Sequence, residues 1–300
     1  MFSRTSSPFL SLRYSARAVF SAWSFNFATK PHDVSTTTKK HLEVYVAHCG
    51  FAKKMTHGAR REDVYGEDAC FVSSHKGTHV VGVADGVGGW NAQGVDPSLF
   101  SSRLMFECKQ VAETGAFEPT RPQMILDKAF TALKAAAKEI LGSSTACLAV
   151  IHDDAFHAAN LGDSGFIIVR DGKILCQSKE QLHFFNAPFQ LSSHPPGGRF
   201  LSNLPKQADE YHLKLRTGDV IMLATDGLWD NVPVETIVDE MSRLNSPKKL
   251  ESVCKTIALT ALQLSADPRP SPFALKARAQ GRMYQGGKPD DITIVLLYVL

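Results

Sequence analysis

Carboxylate side chains stand at the ends of several apolar runs, where a β-sheet would present them at one edge. Asp85 follows HVVGVA, Asp163 follows ANLG and Asp226 follows VIMLAT. Glu67 and Asp68 precede ACFV, and Asp290 and Asp291 precede ITIVLL. If these ends meet in the fold, the like charges repel one another and raise their own pKa values unless cations lie between them. The pattern therefore predicts a cation site built from residues far apart in the sequence.

The chemistry of these side chains selects the cation. They offer only oxygen, and no His or Cys stands at a compatible spacing, which favours Mg²⁺ or Mn²⁺ over zinc. So many carboxylates fit two ions that share a bridging ligand better than one ion. In the segment GVADGVGGW, the absence of a Cβ at Gly86 lets its carbonyl approach a metal, and Gly88 and Gly89 let the loop turn away.

An Asp-Gly pair is often no more than a turn, because Asp folds onto its own backbone and Gly accepts positive φ. We expect this role for Asp171 and Gly172, which join two predicted strands as a hairpin. Asp85 and Asp226 differ because each follows a buried apolar strand and precedes Gly in a similar setting. We therefore interpret both as metal ligands.

Simpler structural roles remain open for three other acids. Asp68 can be an acid that hydrogen-bonds behind the ligands, and Asp163 in GDSG can form a tight turn. Asp230 can cap the helix that begins near Pro233. The sequence alone leaves these alternatives beside the metal-binding ones.

The elements that must position these acids follow from residue periodicity. The predicted strands are LEVYVAHCG, DACFVSS, HVVGVAD, TACLAVI, AFHAANLG, GFIIVR, KILCQS, DVIMLA and ITIVLLYVL. Apolar spacings of three and four residues predict helices over 97–114, 122–141, 233–244 and 247–264. Residues 178–216 look irregular, and DPRPSP reads as a Pro-rich insert. Two blocks of strands, each flanked by a pair of helices, predict a layered α+β sandwich in one domain over residues 41–300.

The first 32 residues have a different composition from the rest. They contain four basic residues, seven serines and no Asp or Glu, which is typical of a mitochondrial presequence. A secretory signal would need an uninterrupted apolar stretch, which arginines and serines break here, and a disordered leader stays open. We therefore predict a presequence with its linker over residues 1–40 and a mitochondrial, matrix location.

The composition of the remaining chain excludes several classes of protein. Removing the four leader cations from 33 basic residues leaves 29 against 30 acidic residues, so the body lacks the basic excess of nucleic-acid binders. No run approaches the roughly 18 apolar residues of a membrane span. The six cysteines are scattered without a C-x-x-C pair, as expected for small buried side chains in a reducing compartment.

The motifs YGEDACF, GVADGVGG, GSSTACLAV, ANLGDSG, LATDGLWD and GGKPDDITIVLL resemble the ordered motifs of the metal-dependent (type 2C) Ser/Thr protein phosphatases. The resemblance covers about residues 44 to 299, and GVDPSLFS, HFFNAPFQLS and the leader make it most similar to the mitochondrial branch. It implies a four-layer αββα sandwich of two mainly antiparallel sheets flanked by helix pairs, with a binuclear Mn²⁺/Mg²⁺ centre between them. It also implies hydrolysis of phosphoserine and phosphothreonine in mitochondrial proteins, including coenzyme Q biosynthesis or mitophagy factors, and we expect a monomer.

The resemblance also implies a role for each metal ligand. Asp85 matches the acid that bridges both ions. The Gly86 carbonyl and Glu67 match the ligands of one ion, and Asp226 and Asp290 match those of the other.

Acids around this pair have further implied roles. Asp68 matches an acid that orients coordinated waters, and Asp291 stands where many relatives have Asn. Asp163, with Asp226 and Asp230, matches a weaker site for a third ion. The predicted catalytic residues are Asp85, Asp226 and Asp68.

Two positions depart from the family pattern. Many relatives have a His directly after the Asp-Gly as candidate general acid, whereas this chain has Val87, so no general acid is assigned. Relatives commonly have a phosphate-binding Arg four residues before the acidic pair, whereas this chain has Asp63. Arg60, Arg61 and Lys288 are the alternative phosphate-binding cations. For the two arginines, the simpler interpretation is that both lie in a loop with their side chains in solvent.

The predicted reaction is a single in-line displacement, in which two ions lower the pKa of a bridging water from 15.7 toward about 7 and the hydroxide attacks phosphorus. The sequence lacks the motifs that Cys-dependent phosphatases, haloacid-dehalogenase-type phosphatases and P-loop NTPases require. The alternative function is a catalytically weak or inactive relative that binds phosphoproteins as a scaffold. The presence of all the expected acids argues against it.

Overall fold

Two five-stranded sheets, each antiparallel throughout, form the centre of the fold. The coordinates are a computed structural model that describes residues 42–53, 64–136 and 140–300. The first sheet contains, in spatial order, β1 (Val44–Phe51), β14 (Ile292–Val299), β13 (Val220–Ala224), β7 (Gly165–Arg170) and β8 (Lys173–Gln177). The second contains β12 (Asp209–Lys214), β6 (Ala155–Leu161), β5 (Ala146–His152), β3 (Thr78–Asp85) and β2 (Asp68–His75).

Helices cover the outer face of each sheet. The helices are α1 (Pro97–Thr114), α2 (Pro122–Lys134), α3 (Asp226–Trp229), α4 (Val234–Ser242), α5 (Leu250–Ser265) and α6 (Pro272–Ala279). Helices α1 and α2 pack on the second sheet, and α4 and α5 pack on the first. This arrangement confirms the predicted α+β class and the αββα order of layers.

Apolar side chains fill the space between the two sheets as well as the space under each helix pair. Phe156 of the second sheet and Phe166 of the first meet in the middle, with ring centroids 5.0 Å apart and no solvent exposure. Strand β14 is buried along its whole length because it has a helix layer on one face and the other sheet on the opposite face. This explains why its sequence is almost continuously apolar rather than alternating.

The antiparallel pairing brings the acidic strand ends to one edge. In the second sheet Asp68 begins β2 directly opposite Asp85, which ends β3. In the first sheet Ala224, the last residue of β13, pairs with Ile294 near the start of β14. Asp226, just after β13, and Asp290 and Asp291, just before β14, therefore lie at the same edge of that sheet. Strands β3, β13 and β14 also contact one another between the sheets.

Close backbone approaches at this edge require glycine. A Cβ at Gly86 would lie 2.6 Å from the Glu67 carbonyl oxygen and 2.7 Å from that of Pro97. A Cβ at Gly227 would lie 2.0 Å from the Asp291 carbonyl oxygen. The glycine of each Asp-Gly pair therefore lets two acid-bearing segments touch.

Several predicted element boundaries are correct for identifiable reasons. Helix α1 has the predicted limits: Asp96 accepts a hydrogen bond from the Ser98 N–H at 3.0 Å, and Gly115 ends the helix at φ 66°. The hairpin between β7 and β8 turns at Asp171 (φ 51°) and Gly172 (φ 72°), as expected.

Other boundaries were predicted wrongly. Helix α2 ends at Lys134 rather than at 141, one residue after its last buried side chain, Leu133. Helix α4 begins at Val234, with Pro233 at its N-cap. Helix α6 was missed because its apolar stripe is short and follows the Pro-rich segment.

The segment 178–216, predicted to be irregular, contains part of a sheet. Strand β12 forms an edge of the second sheet, where alternate side chains such as Tyr211 and Leu213 face the core. Short pairs add β9 (Leu182–Phe184) with β10 (Ala187–Pro188), and β11 (Leu191–Ser193) with β4 (Gly142–Ser144).

Some sequence predictions fall on other parts of the chain. The presequence and its linker, residues 1–40, lie outside the described residues, as do Arg60, Arg61 and Asp63. Within the described ranges, no helix combines the length and the apolar character needed to span a bilayer.

Candidate metal centre

One cavity at the shared edge of the two sheets is lined by most of the predicted ligands. We call it the acid-lined cavity; its volume is about 380 Å³. Its walls are formed by Lys53, Glu67, Asp85, Gly86, Val87, Gly88, Gly89, Asp163, Asn186, Pro188, Asp226, Lys288 and Asp290. The structure thus brings together side chains from both sheets and from residues as far apart as 53 and 290.

The Asp85 backbone is fixed before its side chain reaches the cavity. Its N–H donates to Thr145 Oγ1 at 3.0 Å, and its carbonyl accepts from Ser144 Oγ at 2.8 Å and from the Thr145 N–H at 3.0 Å. Burial raises the pKa of the Asp85 carboxyl well above its ordinary value, and the charges of Asp226 and Asp68 raise it further. A carboxylate held in this way binds a cation strongly, because the cation removes the repulsion.

Asp68 is buried beneath the cavity, with an exposed fraction of 3%. Its Oδ2 accepts hydrogen bonds from Thr225 Oγ1 and Thr293 Oγ1, each at 2.8 Å. Thr225 Oγ1 also accepts the Thr293 N–H at 3.1 Å, so the two threonines form one network. Burial, followed by the charge of Asp291, raises the pKa of Asp68 well above its ordinary value. Neither threonine was predicted as part of the site. Thr225 directly follows β13 and Thr293 is the second residue of β14, and this closeness to acid-bordered strand ends is the signal that would have identified them.

We predict that Thr225→Val lowers both kcat and Mn²⁺ affinity. Valine fills the same volume but removes one of the two donors that orient Asp68, and losing an outer partner of a metal site typically costs about 10–100-fold in affinity or activity. Steady-state kinetics and Mn²⁺ titration measure the effect. Thr256→Val is the matched control because its hydroxyl donates to the Ser252 carbonyl within α5. Unchanged Mn²⁺ affinity in Thr225→Val would contradict the prediction.

Asp291 connects two segments through its carboxylate. Its Oδ1 accepts the Lys53 N–H at 2.6 Å, and its Oδ2 accepts the Glu67 N–H at 2.9 Å. These bonds fix the backbones that carry two cavity side chains. Asp291 is therefore placed to hold these two segments of the site together.

Two lysine ammonium groups lie among the acids. Lys53 Nζ lies 2.8 Å from Glu67 Oε2 and 3.1 Å from Asp290 Oδ1. Lys288 Nζ lies 2.5 Å from Asp226 Oδ2 and 3.4 Å from Asp290 Oδ2. Burial lowers the pKa of each lysine, but the surrounding carboxylates outweigh it and raise both values. Lys288 was predicted only as an alternative phosphate-binding cation, and Lys53 was not predicted at all, because the residues next to it in the sequence carry no sign of a site.

Asp230 does not cap α4, the helix that begins near Pro233. Its Oδ2 lies 2.8 Å from Lys288 Nζ, and its Oδ1 lies 3.7 Å from Lys276 Nζ. The N-cap of α4 is Pro233, without a side-chain hydrogen bond. The capping alternative is therefore wrong.

The donor set fits a hard divalent cation. All the acid side chains at the cavity offer oxygen, and the two ammonium groups already stand where positive charge is needed. Among the described residues, Asp163 Oδ1 is buried without a hydrogen-bond partner. Burial, followed by the charge of Asp226, raises the pKa of the Asp163 carboxyl. Over the same ranges, no three His, Cys, Asp or Glu side chains yet stand in ligating geometry.

Ion binding at this cavity is expected to release protons. The raised pKa values of Asp85 and Asp68 keep both carboxyls protonated to higher pH in the metal-free fold than in the unfolded chain. Their contribution to stability is thus complete below the unfolded pKa, near 4, and is lost as the pH rises through the folded pKa values. Metal binding needs the ionised forms, so Mn²⁺ affinity falls as the pH falls through the same window.

Calorimetry in buffers of different ionisation enthalpy measures this release. We expect the apparent Mn²⁺ binding enthalpy to depend on the buffer and the Asp85→Asn variant to release fewer protons. A buffer-independent enthalpy would contradict the prediction.

Comparisons with known proteins agree with this geometry. The family model described as Stage II sporulation protein E (SpoIIE) matches residues 75–300. The Protein phosphatase PTC7 homolog of Xenopus laevis is 42% identical over 295 residues, which cover 96% of each chain. The X-ray structure of the photosystem II phosphatase PBCP has a TM-score of 0.70 and 28% identity, covering 86% of this chain and 99% of that one.

A more distant structure shows the fold alone. The catalytic domain of the serine/threonine protein phosphatase PstP, solved in complex with two manganese ions, has a TM-score of 0.55 and 17% identity. It covers 86% of this chain and 99% of its own.

Proposed function

This chain belongs to the metal-dependent, PP2C-type Ser/Thr protein phosphatases and is homologous to the PTC7 homologues, and from that premise we propose how and where it acts. The acid-lined cavity hydrolyses phosphoserine and phosphothreonine in mitochondrial proteins with two Mn²⁺ or Mg²⁺ ions. The observation that carries the proposal is the arrival of acids from five chain segments in one cavity.

The family resemblance divides the predicted ligands between two ions, and all of them line the acid-lined cavity. Glu67, Asp85 and the Gly86 carbonyl would hold one ion, and Asp85, Asp226 and Asp290 would hold the other. When bound, such a pair of ions supplies an activated water and neutralises charge on the phosphoryl group. The two manganese ions of PstP, a protein of the same fold, support the number of ions.

The residues of the chain contribute orientation and charge. Asp68, which is held by two threonine hydroxyls, lies opposite Asp85, and we assign it the role of orienting the attacking water. Val87, whose N–H donates to the Ser143 carbonyl at 3.0 Å, carries no side-chain proton donor. The leaving oxygen must therefore take its proton from water in the cavity or from another side chain.

Lys53 must move when the ions bind, because both of its closest carboxylates, on Glu67 and Asp290, are predicted ligands. In the structure its ammonium group lies at the cavity wall beside Gly88, where an added Cβ would lie 3.9 Å from Nζ. We assign it the phosphoryl-binding role that relatives give to Arg. This places a cation at the cavity mouth without requiring the arginines at 60 and 61.

Phosphate release from a phosphothreonine peptide tests the enzymatic proposal. We expect release that depends on Mn²⁺ or Mg²⁺ and is absent from the Asp85→Asn variant. Peptide binding without release, by wild-type protein loaded with metal, would instead support the scaffold alternative. Because the chain retains every acid expected for catalysis, we favour hydrolysis.

The mitochondrial proposal rests on the composition of the first 32 residues. Imaging the full-length chain and a chain that begins at residue 33 tests it. We expect only the full-length chain to accumulate in mitochondria, and retention of the shorter chain there would reject the targeting role. Phosphoproteomics after depletion tests whether the substrates include coenzyme Q biosynthesis or mitophagy factors.

A further inference from the structure

The Lys288 ammonium group lies between two acids of the predicted third-ion site. Its nitrogen lies 2.5 Å from Asp226 Oδ2 and 2.8 Å from Asp230 Oδ2. Asp163, the remaining acid of that site, lines one pocket together with both of them. Two of the three acids thus already pair with a positive charge supplied by the chain.

The backbone of Lys288 is fixed from both sides by Asn231. The Lys288 N–H donates to Asn231 Oδ1, and Asn231 Nδ2 donates to the Lys288 carbonyl, both at 2.8 Å. Asn231 is buried, with an exposed fraction of 2%, and also donates to the Gly227 carbonyl at 2.9 Å. The next residue is Pro289, which restricts φ. The point from which the side chain extends is therefore rigid.

The ammonium group itself has little freedom to leave. The Lys288 side chain is 16% exposed, and its Nζ lies 4.9 Å from the centre of the Phe273 ring, a cation–π distance. Its bond to Asp230 lies outside the set of ligands predicted for the paired ions. The ammonium group contacts only Oδ2 of Asp226. The other carboxylate oxygen, Oδ1, can therefore serve one of the paired ions at the same time.

Lys53 provides a contrast within the same cavity. Both of its closest partners, Glu67 and Asp290, are predicted ligands of the paired ions, so loading the pair displaces it. Outside that set of ligands, Lys288 has Asp230 at 2.8 Å, whereas Lys53 has Asp291 at the longer distance of 3.7 Å. Lys288 is therefore the lysine that is held more closely by an acid the paired ions do not need.

We propose that Lys288 is a built-in cation that replaces the third metal ion, so that this protein saturates at two divalent ions per chain. The inference rests on the proposed two-ion function and deepens it. A divalent ion placed between Asp163, Asp226 and Asp230 would stand against the ammonium group, and the like charges exclude it.

The stoichiometry of Mn²⁺ binding to the full-length protein tests this inference without measuring activity. Equilibrium dialysis followed by elemental analysis counts the ions, and we expect two per wild-type chain. Lys288→Met should bind three, and adding Asp163→Asn to it should return the count to two. Three ions on the wild-type chain, or two on a folded Lys288→Met chain, would overturn the inference.

Two further variants keep the inference testable if Lys288→Met does not fold. Lys276→Met is the matched control, because its ammonium group lies 3.7 Å from Asp230 Oδ1 and also pairs with Glu180, so its count should remain at two. In the wild-type background, Asp230→Asn should also leave the count at two, whereas the loss of an ion would make Asp230 a ligand and overturn the inference. A wild-type chain that binds no ion would instead refute the proposed two-ion function, and with it this inference.

Discussion

Replacing Asp85 by Asn is expected to reduce phosphatase activity by about a thousandfold or more, equivalent to about 4 kcal/mol of transition-state stabilisation. Asp85 is the one side chain assigned to both ions, and its backbone is fixed by Ser144 and Thr145. Asparagine keeps the shape but loses the charge that holds two cations together. Asp226→Asn should cause a comparable loss, because Asp226 is assigned to one ion and also pairs with Lys288.

The Asp85→Asn protein is expected to remain folded. Burial already opposes ionisation of Asp85, and neighbouring carboxylates oppose it further, so a neutral amide relieves repulsion in the metal-free state. Its thermal midpoint without metal should equal or exceed that of the wild type. This measurement separates loss of chemistry from loss of structure.

Asp171→Asn is the matched control for this substitution. Asp171 belongs to the Asp-Gly turn of the hairpin between β7 and β8, where it is exposed and pairs with Arg216 on the surface. Asn-Gly is equally suited to such a hairpin, so activity should not change. Wild-type turnover in purified Asp85→Asn would reject the assignment of the bridging ligand.

Removing the metal with EDTA is expected to abolish activity and to lower the thermal midpoint, and added Mn²⁺ should restore both. At a free ion concentration of about 100 times Kd, binding to the folded state alone stabilises a protein by about 2.7 kcal/mol per site. The metal-free fold should survive, because Lys53 and Lys288 already neutralise part of the acidic charge. Differential scanning fluorimetry and phosphopeptide assays measure the two effects.

The same titration on Asp85→Asn serves as the control for metal removal. That variant should show little change in thermal midpoint between EDTA and Mn²⁺, because its paired site is broken. Wild-type activity that persists after exhaustive chelation would contradict a metal-dependent reaction at this cavity.

Local sequence was enough wherever a structure depends on neighbouring residues. The limits of α1 follow from the Asp96 cap, Pro97 in the first turn and Gly115 beyond the last, all within one segment. The turn at Asp171 and Gly172 is equally local. Strand β12 and helix α6 were missed because their apolar patterns are short and adjoin irregular or Pro-rich sequence.

Membership of the two sheets could not be read from the order of strands. The sequence places the strands in two blocks, but β1, near the start of the described chain, pairs with β14 at its end. The apolar pattern of each strand predicts that the strand is buried, but it does not predict which neighbouring strand pairs with it. Pairing is decided by side-chain packing across the whole domain.

By itself the sequence determined which acids border the strands, that their oxygens suit hard divalent ions, and that glycine follows Asp85 and Asp226. Only the tertiary structure decided that Lys53 meets Asp290 across 237 positions and that Lys288 bridges two acids about 60 positions away. The physical reason is that hydrogen bonds and ion pairs act over a few ångströms in space. Such distances are created by the pairing and stacking of two sheets, which no local pattern records.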